Sequence, residues 1–326
     1  MLQLKPTSVL VIGTGSIGRR HIQCLKELAV PEIYICEPIE SNRKLTTGLF
    51  KIEKSFTDLD YALERSYDAA IICVPNHLHS IISIPVIKRR IPVLLEKPIE
   101  IIIEAAEQIR DAAKKYDTVV QVAYCFRFST ALAEIREILA GGKLGKIYCV
   151  DISVGQYLPD WRPTVDYREI YSAKRAEGGG VCIDLSHELD YFRWLFGDVA
   201  KILALSLKTS QLEIDVEDIA EAIIVTESGT IGRIHLDYLS RKLRREVHIV
   251  GENGNIEYDF VTGSLRVYHA DNAFWQCKTY DADRNLIFKR QLEHFFKCIQ
   301  TADTPLVDAN DAIKTLELAL RMRGHI

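Results

Sequence analysis

Six residues near the amino end, Gly13-Thr14-Gly15-Ser16-Ile17-Gly18, constrain this chain more than any other feature. They spell GxGxxG, follow the apolar run Val9 to Ile12, and precede a segment in which Ile22, Leu25 and Leu28 recur at helical spacing. Strand, glycine turn and helix in that order predict a dinucleotide-binding unit. Gly13 would make the tight turn, Gly15 would let a pyrophosphate approach the backbone, and Gly18 would let the helix pack on the strand. Thr14, Ser16 and Ile17 lie in the same turn, where the first N–H groups of the helix face the phosphates. Glu37 closes the second β-rich run 19 residues after Gly18, where an acid binds the adenosine ribose hydroxyls. A carboxylate there repels a ribose 2′-phosphate and favours NAD over NADP, a preference that Arg43 nearby would soften.

The runs Ser8 to Ile12, Glu32 to Cys36, Ala69 to Val74, Val93 to Leu95 and Thr118 to Val122 alternate with helical patterns, which predicts a parallel sheet with helices on both faces. After about residue 123 the pattern becomes antiparallel, with runs at Ile147 to Val154, Lys201 to Leu207, Ala220 to Thr226, Ile231 to Leu239, Glu246 to Val250 and Ile256 to Phe260. Asn253-Gly254 reads as a hairpin turn because both residues tolerate positive φ. Helices are expected over Asp184 to Phe196, ended by Gly197, and over Leu286 to Cys298 and Ala309 to Met322. A chain of 326 residues suits two domains, taken as 1–122 and 123–326, with the C-terminal helix able to pack back on the first.

The 45 acidic against 41 basic residues leave a formal charge of -4, which offers no broad field for nucleic acid or anionic lipid. The basic cluster Arg241, Lys242, Arg244 and Arg245 reads as a solvated strand end. Eight scattered cysteines without a CxxC behave as small hydrophobes in a reducing compartment. No apolar run is long enough to span a bilayer, and Val9 to Ile12 leads into a glycine turn and not a cleavage site, so a cytoplasmic protein is expected. His21, His77, His235, His248 and His294 show no metal-ligand spacing, so no metal is expected, and no GxSxG elbow marks a hydrolase.

Ligands bind outside the carboxyl ends of strands in such sheets, so two loops should face the cofactor cleft: Val74-Pro75-Asn76-His77-Leu78-His79 and Leu95-Glu96-Lys97-Pro98. Lys97, held between a strand end and a proline, is the first candidate to exchange a proton with a substrate hydroxyl. Its plain alternative is a strand-end surface lysine.

The GxGxxG, the PNxxH turn, the EKP triplet and the segment Gly178-Gly179-Gly180-Val181-Cys182-Ile183-Asp184-Leu185-Ser186-His187 together resemble the Gfo/Idh/MocA family (glucose-fructose oxidoreductase, inositol dehydrogenase) over nearly the whole chain. The resemblance implies an N-terminal Rossmann domain, doubly wound, and a C-terminal α+β domain with a largely antiparallel open sheet that often forms an oligomer interface. A homodimer or homotetramer is therefore expected. It also implies NAD(P)-dependent redox chemistry on a sugar, sugar derivative or cyclitol. By the same resemblance Lys97 matches the lysine at the reacting hydroxyl, Pro98 a proline often in the cis form, Asn76 and Glu96 positions lining the nicotinamide ribose, and His187 the histidine that shares proton transfer. Asp184 stands three residues before His187, where many relatives have four. Either spacing keeps the pair on one helical face, and Asp184 is then an orienting group or a helix N-cap.

Arg127, between Phe126 and Phe128, matches a family position that often faces the active site; its guanidinium suits a phosphate or carboxylate. Trp161, Arg162 and Tyr167 lie on a polar loop of the kind that sets specificity, with loop packing as the alternative for the aromatics. Arg162 and Arg168 point to a phosphorylated or nucleotide-linked sugar. Two other readings stay open: an NAD-dependent glycoside-cleaving enzyme of the same fold, and an NAD-binding regulator without catalysis.

Overall fold

A computed structural model describes residues 6–271, 273–281 and 284–324 and divides the chain into two compact units. The first comprises residues up to 125 together with 284–314, and the second comprises the remainder.

In the first unit, β1 (Ser8–Ile12), α1 (Ser16–Glu27), β2 (Glu32–Cys36), α2 (Glu40–Phe50), β3 (Ser55–Phe56), α3 (Leu59–Ala62), β4 (Ala69–Ile72), α4 (His79–Lys88), β5 (Val93–Leu95), α5 (Ile103–Tyr116) and β6 (Val120–Val122) follow in order. All strand pairs are parallel, in the order β3-β2-β1-β4-β5-β6. Helices cover both faces, which is why the strands read as unbroken apolar runs: Val9, Leu10 and Val11 are all fully buried. The strand order reverses between β1 and β4, so the loops leaving these two strands open at the switch point where ligands bind. β4 and β6 are shorter than their apolar runs, and the two-residue β3 is too short to show periodicity.

The second unit opens with α6 (Thr130–Ala140), β7 (Ile147–Gly155), α7 (Val181–Asp184) and α8 (His187–Phe196). Seven further strands follow: β8 (Val199–Leu207), β9 (Ile219–Thr226), β10 (Ile231–Asp237), β11 (Arg244–Gly251), β12 (Gly254–Asp259), β13 (Ser264–His269) and β14 (Phe274–Thr279). They form one sheet in the order β14-β13-β12-β11-β7-β10-β9-β8, antiparallel except for the β7–β10 pair. Alternate residues such as Ile152, Val154, Ile234, Leu236, Val247 and Ile249 are buried on one face. That face carries α8; a Cβ on Gly232 would meet the Phe192 ring. The other row leaves Leu203, Leu205 and Ile223 exposed.

Two expectations change. The β11–β12 hairpin forms, but Gly254 already pairs with Gly251, so the turn falls on Glu252-Asn253, and neither Asn253 nor Gly254 has positive φ. Gly254 is required instead by crowding, because a Cβ there would collide with the Tyr268 carbonyl on β13. The single helix expected from Asp184 is two helices, interrupted at Leu185-Ser186.

The chain then runs through α9 (Arg284–Thr301) and α10 (Ala309–Arg323). Phe288, Leu292, Phe295 and Phe296 of α9 join Val9, Ile22, Leu25, Ile35 and Ile71 in the core of the first unit. A cut after residue 122 would assign this helix elsewhere, because its contacts are made with residues more than 200 positions earlier.

Candidate active site

Gly13 has φ +85°, and a Cβ on it would lie 2.7 Å from the Cys73 carbonyl oxygen. A Cβ on Gly18 would collide with the Gly13 carbonyl. Both glycines are demanded by the chain itself. Gly15 differs, with φ -60° and nothing within 4 Å of its would-be Cβ. Its lack of a side chain makes sense only if something approaches from outside, and a pyrophosphate at the N-terminus of α1 meets that description. Ser16 is exposed there, Ile17 half-buried and Thr14 buried.

Glu37 stands at the end of β2 beside this turn. Its Oε2 accepts from the Thr14 backbone N–H at 2.7 Å and from Thr14 Oγ1 at 3.1 Å, and Oε1 accepts from Ile39 N–H at 3.0 Å. A carboxylate has about four acceptor sites, so one remains for a ribose hydroxyl. Arg43 donates to the Glu37 and Pro38 carbonyls, which pins its guanidinium to backbone. Glycine cradle and acid therefore fit a dinucleotide.

The loop after β4 places Pro75 at the surface and buries Asn76 at the start of a short 3-10 turn. His79 departs from the sequence expectation of a cofactor contact. It is fully buried, with Nδ1 2.8 Å from the Pro98 carbonyl and Nε2 3.1 Å from the Val74 carbonyl. Burial pulls its pKa below the usual imidazole value. The ring thus ties the β4 loop to the EKP loop as an internal strut. Glu100 does similar work, accepting from Ser80 N–H and Oγ at the start of α4 and from Ile101 N–H.

Lys97 is half-buried, its N–H donates to Glu96 Oε2 at 3.3 Å, and the Lys97–Pro98 bond is cis. Glu96 Oε1 lies 2.7 Å from Nε2 of His21, a fully buried residue of α1. In the sequence His21 stands out only as a histidine without metal-ligand spacing, although its position three residues after Gly18 sets it on the first turns of the cofactor helix. Among the described residues, His21, Cys73 and Glu96 are one group close enough to share a cation, with ligand atoms within 4.8 Å. The His21–Glu96 hydrogen bond accounts for that proximity. Burial and the Glu96 charge push the Cys73 thiol well above its ordinary pKa, which opposes the thiolate a metal needs.

In the second unit His187 begins α8, half-buried, its ring 4.8 Å from that of Phe126. Asp184 ends α7, so it is neither an N-cap nor on a shared helical face with His187. Its carboxylate accepts from Tyr171 Oη at 2.7 Å, Ser172 Oγ at 2.6 Å and Tyr238 Oη at 3.1 Å. The triple glycine makes this possible: a Cβ on Gly179 would collide with the Tyr171 and Ser172 carbonyls, and one on Gly180 with the Glu217 carboxylate.

Arg127 is also redirected. It is 6% exposed, and its Nε and Nη2 donate to the two oxygens of Asp190 at 2.9 and 2.7 Å. That bidentate pair locks α8 to the start of the unit and withdraws the guanidinium from substrate recognition. Trp161 donates to the Gln156 carbonyl at 3.0 Å and packs edge-on against Tyr238, the loop-packing alternative. Tyr167 Oη accepts from Glu213 N–H, Arg168 is paired with Asp166 and Glu213, and Arg162 is half-buried.

Residues 7–124 match the family model described as "Oxidoreductase family, NAD-binding Rossmann fold", and residues 132–257 match "GFO/IDH/MocA C-terminal domain". The rhizopine catabolism protein MocA of Rhizobium meliloti is 30% identical over 190 residues, 57% of this chain and 56% of that protein. The scyllo-inositol 2-dehydrogenase (NAD(+)) of Bacillus subtilis (strain 168) is 26% identical over 331 aligned residues, covering 95% of this chain and 91% of its own. The structure of levoglucosan dehydrogenase in complex with NADH and levoglucosan superposes with a TM-score of 0.88 at 19% identity, covering 98% of this chain and 96% of that one.

Proposed function

The chain belongs to the Gfo/Idh/MocA family of NAD(P)-dependent oxidoreductases, and from that premise we propose that it moves hydride between NAD and a hydroxyl-bearing carbon of a sugar or cyclitol. One observation carries the reading: of the three motif glycines, Gly15 alone has no internal reason to lack a side chain. Relatives named as inositol and levoglucosan dehydrogenases support the substrate class.

The dinucleotide would supply the hydride acceptor or donor. The turn at Thr14 to Gly18 and the first N–H groups of α1 would hold its pyrophosphate. Glu37 would take an adenosine ribose hydroxyl and disfavour a 2′-phosphate, and Pro75, Asn76 and Glu96 would line the nicotinamide side. Lys97 and His187 would take and return the proton of the reacting hydroxyl. Asp184, with three hydroxyls on its carboxylate, would fix the segment that leads into His187 and leave proton transfer to the other two.

Nicotinamide absorbance measured against cyclitols, hexoses, phosphorylated hexoses and nucleotide-linked sugars, with NAD and NADP in parallel, tests this. Lys97→Ala should lower kcat by roughly 10²–10⁴-fold, the range for loss of a general acid-base group, while NAD still binds. Undiminished turnover in that variant removes Lys97 from the mechanism. Release of free sugar without net NADH would favour glycoside cleavage, and NAD binding without turnover on any member would favour a regulator.

A further inference from the structure

Arg245 lies in a run of basic residues that reads as a solvated strand end, yet it faces the other way. Along β11 it shares the parity of Val247 and Ile249, both fully buried, whereas Arg244 and the next-but-one residues Glu246 and His248 belong to the opposite row. It therefore heads the inward row of a central strand, paired in register with Val154. After Val154, β7 ends at Gly155 and gives way to the loop carrying Trp161 and Arg162.

Its surroundings are built. The Nε stands 2.9 Å from Oε1 of Glu188, a fully buried carboxylate in the first turn of α8, one residue after His187. The guanidinium carbon lies 4.8 Å from the centre of the Phe126 ring, the same ring that packs on His187. The side chain is 19% exposed. Among the described residues, its two terminal nitrogens hydrogen-bond nothing. Glu188 thus anchors one edge of the guanidinium and Phe126 its face, leaving the fork of terminal N–H groups. Such a fork matches the paired oxygens of a carboxylate or phosphate. Arg241 and Lys242, exposed in the segment just before β11, add positive charge nearby.

We propose that Arg245 is a specificity determinant that takes an anionic group, carboxylate or phosphate, on the sugar-like substrate at the His187 side of the site. This rests on the sugar oxidoreductase reading above, and it transfers to Arg245 the role that Arg127 cannot fill.

The test is equilibrium titration of the NADH-loaded full chain with a hexose, the corresponding hexuronate and the hexose 6-phosphate. The three probes are used as their methyl glycosides, which offer NADH no carbonyl to reduce, so binding is read apart from catalysis, and the parallel NAD absorbance assay reports separately on the redox reading. We expect one charged probe to bind roughly tenfold or more tightly than the hexose, the worth of a hydrogen bond to a charged group. The hexuronate and phosphate arms identify which anion it is. In Arg245→Met the ratio of charged to neutral affinity should fall to near one, with part of it kept in Arg245→Lys. Because the single variant strands the buried Glu188, the double variant Arg245→Met/Glu188→Gln removes both charges and should give the same ratio. No preference in the wild type, a preference that survives in Arg245→Met and the double variant, or one lost only in Arg162→Met would each overturn the assignment.

Discussion

Gly13, Gly15 and Gly18 share a motif but not a reason, and the difference can be measured. Adding a methyl at Gly18 forces the Gly13 carbonyl to move, so Gly18→Ala should cost about 1–3 kcal/mol of stability, as overpacking does. Gly15→Ala puts its methyl into open space and should leave the melting curve within about 0.5 kcal/mol of wild type while weakening NAD binding. Chemical denaturation and a NAD titration of the two variants separate these outcomes, and a Gly15 variant with unchanged NAD affinity would remove the pyrophosphate from that turn. The motif residues were legible because the positive φ of Gly13 and the contact between Gly18 and Gly13 sit within one short turn. Arg127 and His79 were not, because what commits them lies far along the chain: Asp190, 63 residues on, and the Pro98 carbonyl, 19 residues on. Arg245 did carry a signal, since the alternation with Val247 and Ile249 assigns it to the inward row, but a neighbouring charge run masks it.

At the scale of elements, the strand β10 ends in a titratable knot. His235 lies between Glu221 on β9 and Asp237, at 2.5 and 2.8 Å, and Asp237 also accepts from Leu239 N–H, Ser240 N–H and Ser240 Oγ in the turn that follows. Burial works against the Asp237 charge, but the bonds from His235 and Ser240 outweigh it and bring its pKa to about 2. The bond to Asp237 raises His235 above the ordinary imidazole value against the pull of burial. The signs follow from linkage. Asp237 contributes stability present above the unfolded value near 4, on the order of 2 kcal/mol, which is lost as pH falls towards about 2. The contribution of His235 is complete below about pH 6.5 and is lost as pH rises through its raised folded value. Urea unfolding at stepped pH should show both slopes, with Asp237→Asn flattening the acid limb and His235→Asn the neutral one; an unaltered pH profile in either variant would contradict this account. Element existence was legible where apolar periodicity was strong over a long run, as in β7 and β9, but not for the short alternating run of β13. It failed at β14, whose Phe274–Thr279 run is largely exposed on the sheet edge, and at the α7–α8 break, where Asp184 turns towards Tyr171 and Tyr238 and no local pattern announces it.

For the whole molecule, the decisive fact is that the nucleotide-binding unit is discontinuous in sequence. Its sheet, glycine turn and EKP loop all lie before residue 126, yet α9, from Arg284 onward, supplies Phe288, Leu292, Phe295 and Phe296 to its core, each no more than 6% exposed. Length and composition could predict two domains, but not this return, because an amphipathic helix shows which face it buries and not against what. Each of these side chains is worth about 1.5–3 kcal/mol on burial, so losing four removes roughly 6–12 kcal/mol. The whole stability of an ordinary domain is about 5–15 kcal/mol. A fragment ending at residue 125 should therefore fail to fold and fail to bind NAD although its glycine motif, Glu37 and Lys97 are intact. In the full chain, Phe295→Ala, which opens a cavity beside Ile22 and Leu25, should cost about 3–5 kcal/mol and lower the unfolding midpoint; at saturating NAD, mass action should restore part of it. Cooperative unfolding and NAD binding by the 125-residue fragment would show that β1 to β6 and their helices close a core without α9, and that the helix only covers it.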